Sequence, residues 1–149
     1  AIKRSPSEIR LEHEGAYPLT FARLVQPVLN KHCLGCHQKQ DKAPSLSGEK
    51  YGQWGWSDAY HTLAPLAWAK SGGNGALAAN ETSYSVAGEV GARASKLYKM
   101  LAKGHNDVKL KADEFRRITL WIDCNSNFYG AYHDIEKQAA GASVKPILE

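Results

Sequence analysis

Apolar side chains along this chain recur mostly three or four residues apart, the spacing of one helical face. In "TFARLVQPVLNKHC" they are Phe21, Leu24, Val25, Val28 and Leu29, which predicts a helix near 20–36. Pro27 lies inside that pattern; it lacks a backbone donor, so a kink or a fresh helix start is expected there. A second helix is expected near 57–70, in "SDAYHTLAPLAWAK", with Ser57 as N-cap, a kink at Pro65 and "SGGNG" to end it. A third is expected near 95–103, in "SKLYKMLAKG". Ser95 caps its start, Gly104 follows its end, and Leu97, Tyr98 and Leu101 share a face. The fourth, near 111–124, is "KADEFRRITLWIDC". Phe115, Ile118, Trp121 and Ile122 form its apolar side, and Asp113 and Glu114 suit the positive end of its dipole.

There is no clear period-two alternation and no internal repeat, so the expected fold class is all-α. Residues 1–19, with Pro6 and Pro18, read as an extended lead-in to a domain at 20–133. Residues 134–149 read as a polar tail over the surface. Residues 38–94 carry eight of the thirteen glycines, together with Trp54 and Trp56 in "YGQWGW". Such a stretch is too long for a simple loop in a compact domain and is expected to wrap something.

The 149 residues suit one domain, and 43% hydrophobic with 23% charged residues marks a globular chain. No apolar run approaches the roughly 20 residues that span a bilayer. The net charge of +4 is spread thinly, with no basic block and no nucleic-acid signature. The opening "AIKRSPSEIRLEHEGAYP" has no apolar core of a signal peptide, and position 1 is not Met. A mature or excised chain is one reading, and a cytoplasmic chain that has lost its Met is the other.

"CLGCH", Cys33 to His37, changes the picture. Two thiols three positions apart on a helical turn reach the two vinyl groups of one haem and form thioethers, and the adjacent histidine turns to the iron. A thioredoxin-like pair needs a βαβ context, which is missing. A structural zinc site needs about four ligands, and the remaining cysteine, Cys124, has no companion pair. One haem c, covalent through Cys33 and Cys36 with His37 as proximal ligand, is therefore the expected cofactor. The all-α fold then becomes cytochrome c-like, its helices and glycine-rich loops packed around the porphyrin. Attachment of this kind takes place outside the bacterial cytoplasm, so a periplasmic or extracellular location is expected.

The sixth iron ligand separates electron transfer from ligand chemistry. His105 leads the candidates because it opens the loop between the third and fourth helices. Met100, inside the third helix, reads more simply as a core methionine beside the haem. His61 is a further candidate. His32 abuts Cys33, and His13 and His133 lie in polar terminal segments. Cys124 reads as a small buried residue, and the sequon at Asn80 carries no weight.

"FARLVQPVLNKHCLGCH", "SKLYKMLAKGHNDVKLKADEFRRITLWIDCN" and "FYGAY" together resemble the monohaem c-type cytochrome domains of large modular bacterial proteins, common in planctomycetes. The cytochrome domain of hydrazine synthase alpha-subunit-like proteins is related to these. The resemblance covers about residues 20–133. It implies bis-histidine coordination by His37 and His105 and a domain belonging to a longer protein, and it transfers no hydrazine chemistry. The expected function is electron transfer to a redox protein or neighbouring haem domain. The alternative is a haem enzyme or gas sensor with an open or displaceable sixth position, its pocket lined by Tyr51, Trp54 and Trp56. A mainly structural haem ranks last.

Overall fold

The computed structural model describes residues 5, 18–49, 51–67, 88–145 and 147. The described part is helical, without a strand; an isolated bridge pairs Tyr51 with Ser57. Most of the lead-in, including His13, lies outside the described residues, as do residues 68–70 of the second expected helix, "SGGNG" and Asn80.

The first expected helix is a bent rod of three pieces: α1 (Phe21–Leu24), α2 (Gln26–His32) and α3 (Leu34–His37). Val25 and Cys33 join the pieces in right-handed helical conformation, so the rod bends without ending. Pro27 sits in the first turn of α2, where its missing N–H costs nothing. Helix α4 (Asp58–Ala67) starts where the Ser57 hydroxyl accepts from the Tyr60 amide, and it carries Pro65 inside. Helix α5 (Gly91–Ala94) is a single turn that the hydrophobic pattern does not announce. In α6 (Lys96–Lys103) the Ser95 hydroxyl accepts from the Tyr98 amide at 3.0 Å, and Gly104, at φ 97°, follows as the glycine at its end. Helix α7 (Ala112–Asp123) and the short α8 (Ile135–Ala139) complete the order.

Helix α1 packs on α7, α4 on α6, and α5 on both α6 and α7. Their meeting point is an aromatic cluster in which Phe21 lies 5.2–5.3 Å, ring centre to ring centre, from Trp121 and Tyr60 in edge contacts. Phe128 stacks on Phe21 and meets the edge of Tyr60. The buried polar tips are satisfied: Tyr60 Oη donates to the Ser126 carbonyl and Trp121 Nε1 to that of Asn127. Burial pushes the Tyr60 hydroxyl up to about 12.

The tail is anchored at one point. Gln138 of α8 is buried, and its amide accepts from the Gly130 and Ala131 amides and donates to the Ala131 and His133 carbonyls. A polar side chain thus docks the segment after Tyr132, with no apolar run to mark it. Gly130 lies close to Pro18: a Cβ there would fall 2.0 Å from the Pro18 Cβ.

Candidate cofactor site

The bent rod, α4, α6, α7 and the loop between α6 and α7 line a cleft of about 160 Å³. Val25, Val28 and Leu29 line it from the rod, Leu63 and Leu66 from α4, Leu97 and Leu101 from α6, and Ile118 from α7. Among the described residues no charged side chain lines it, and Thr62, His37 and His105 bring polar atoms to it. The glycine-rich middle contributes Pro44 and Leu46, so part of that stretch wraps this cavity.

Cys33 and His37 lie on the lining because the helical turn through "CLGCH" presents them there. Cys36 is exposed, its sulfur accepting from the Gln40 amide at 3.3 Å. No disulfide joins the three cysteines. Burial, then the neighbouring Cys36, pushes the Cys33 thiol up, so it stays protonated at neutral pH. A redox-active pair needs the opposite, a thiolate held by a lowered pKa.

His37 Nδ1 lies 2.9 Å from the Pro44 carbonyl oxygen, which can only accept, so Nδ1 carries the proton. That leaves Nε2 with its lone pair free for a metal. Metal-binding histidines have this arrangement, with the second nitrogen donating to a carbonyl.

His105 also lines the cleft, its ring centre 6.3 Å from that of His37 and the two planes inclined at 44°. Imidazole nitrogens bind transition metals at about 2.0–2.1 Å, so two imidazoles on opposite sides of one metal have ring centres roughly 6 Å apart. The backbone fixes His105 there. The Val108 amide donates to the His105 carbonyl at 3.0 Å, and Asn106 and Asp107 between them have positive φ, as in a type I′ turn. The Asn106 amide approaches His105 Nε2 at 3.3 Å, a long contact that a stronger partner can displace.

The other candidates separate cleanly. Met100 also lines the cleft. His61 does not: its Nε2 donates to the Gln53 carbonyl at 3.1 Å and its ring lies against Trp56. His32 is held by Glu114 at 2.9 Å, and His133 lies in the segment that Gln138 docks. Tyr51, Trp54 and Trp56, expected as lining for an open distal pocket, are absent from the cleft; Trp56 packs on Tyr60 and His61, and Trp54 is 70% exposed. Cys124 is half-buried at the end of α7 and also off the cleft. Among the described residues no group of three or more His, Cys, Asp and Glu gathers around one point.

Glu114 is the site residue that the sequence reading placed only as a dipole partner. Oε2 accepts from the Lys111 amide and from His32 Nε2, both at 2.9 Å, and Oε1 accepts from Lys31 Nζ. These donors, Lys31 first, hold its carboxyl down at about 2. No protein-family model, no curated protein and no solved structure matches this chain.

Proposed function

We propose that this chain is an electron-transfer domain holding one haem c, covalent through Cys33 and Cys36 and ligated by His37 and His105. The observation that carries the reading is the facing pair of imidazoles, 6.3 Å apart on an apolar cleft, with one member in the Cys-x-x-Cys-His motif. When bound, the haem iron takes up and releases one electron.

The chain's own residues set the terms of that exchange. The Pro44 carbonyl fixes the His37 tautomer and raises the basicity of Nε2. The apolar lining of described residues disfavours water beside the group. Two imidazoles set a lower potential than an imidazole and a thioether, since methionine ligation raises it. In this reading the electron leaves to a docked redox protein or a neighbouring haem domain.

The test is the mass of the denatured chain followed by the near-infrared spectrum of the ferric protein. A chain heavier by one haem, with a bis-imidazole charge-transfer band, is expected. A thioether band would transfer the sixth position to Met100, which lines the same cleft. A high-spin band would give the lead to an enzyme or gas sensor. A chain of unmodified mass, exported beside a working haem-attachment system, would overturn the reading.

A further inference from the structure

We infer that Glu114 is a positioning residue that holds the His105 loop against the His37 segment and thereby keeps His105 on the metal. The inference rests on the proposed ligand pair, but the observation behind it is separate.

His37 and His105 belong to segments far apart in sequence, and each is fixed only locally: His37 by Pro44, His105 by its own turn. Their separation depends on what joins the two segments. Among the described residues, the hydrogen bonds of 104–111 stay within that loop and the adjoining ends of α6 and α7. A polar link from α7 to the rod runs through the Glu114 side chain. Glu114, in the first turn of α7, reaches back to the Lys111 amide at the end of the His105 loop. The same carboxylate takes Lys31 and His32, the two residues immediately before Cys33. Its side chain is 9% exposed, so water competes weakly for these bonds.

The residue type fits the task. Three donors converge, and a carboxylate offers about four acceptor sites on two oxygens. A glutamine of the same shape has one acceptor oxygen and turns an N–H₂ toward a donor. Asp is one methylene too short to reach across from α7 to α2 while still closing on Lys111.

Departure of His105 from the metal requires its loop to swing away from the rod. Loosening the clamp therefore speeds that departure. A purely structural tie lowers stability without selecting this motion.

The experiment uses the haem-loaded protein as wild type, Glu114→Gln and Asp123→Asn. Asp123 is the matched control: it accepts from the Ala92 amide at 2.6 Å, joining α7 to α5 away from the cleft. Imidazole is added in excess to the ferric protein, and the limiting rate of ligand exchange is read by stopped flow beside the thermal midpoint. Glu114→Gln is expected to raise the limiting rate about tenfold, as for loss of a charge-assisted hydrogen bond. Asp123→Asn is expected to lower the midpoint and leave the rate unchanged. Equal rates in Glu114→Gln and wild type, or equal acceleration in both variants, overturns the inference. If Glu114→Gln does not accumulate loaded, Lys31→Gln removes one of the three donors; a smaller acceleration supports the clamp and the wild-type rate overturns it. A wild-type protein without the bis-imidazole band overturns the ligand reading itself, a result visible before any variant is mixed.

Discussion

Two residues of this chain hold opposite positions in the same argument. His105 is a loop histidine whose value comes entirely from what faces it, and under the proposed function its loss opens the metal. His105→Ala is expected to abolish the bis-imidazole band and let the reduced protein bind carbon monoxide; Met100→Leu is expected to do neither. A carbon monoxide difference spectrum on each variant checks both. Trp54 is the contrasting case, a residue whose backbone is strained and whose side chain is mostly in water: φ is 66° and exposure 70%. The left-handed conformation costs a residue with a Cβ about 1–2 kcal/mol, and the loop tolerates it because the Tyr51–Ser57 bridge closes around it. Trp54→Gly removes that cost at little loss of burial and is expected to stabilise by about 0.5–1 kcal/mol, read as a higher urea midpoint.

At the scale of elements, the caps and clamps carry the testable energetics. Ser95 is fully buried, and its hydroxyl satisfies the first turn of α6; Ser95→Ala is expected to cost about 1 kcal/mol in the urea unfolding free energy. Glu114 joins α7 to α2, and its carboxyl is lowered from 4.5 to about 2. A lowered folded-state pKa gives stability that is whole above the unfolded value and is lost as pH falls through the folded one. Wild type is therefore expected to lose stability between pH 4.5 and about 2, and Glu114→Gln to show a flatter acid limb across that window. Urea midpoints taken through that range check it. The four long helical stretches were legible because the α-helical period shows in their own residues, and Ser57, Ser95 and Gly104 marked ends. Helices α5 and α8 were not, since each is about one turn long and carries no amphipathic repeat. Gln138 in particular looks like surface in the sequence, because a buried amide is recognisable only by the four backbone groups that surround it.

For the whole molecule, the aromatic cluster and the apolar cleft divide the interior. The cluster around Phe21 is filled by the chain's own rings, while the described residues give the cleft apolar walls around open space. Under the proposed function the haem supplies the missing half of that core, and a group bound only by the folded state stabilises it. The Cys33→Ala, Cys36→Ala double variant, purified without haem, is expected to unfold at a lower temperature than the loaded protein and to keep the near-ultraviolet dichroism of the aromatic cluster at low temperature. Calorimetry and dichroism on the two forms check this.

The sequence by itself determined the helical class, the helix starts and the Cys33–Cys36–His37 unit, because each depends on residues a few positions apart. It also narrowed the facing residue to a short list. Only the tertiary structure shows where those candidates lie: His105 and Met100 line the cleft, while His61 bonds Gln53 and His32 bonds Glu114. The same holds for the join from Glu114 to Lys31 and His32, more than eighty positions away. The physical reason is that hydrogen-bond partners across a fold leave no periodic trace in the chain; they are chosen when the helices pack, by which side chains the packing brings within reach.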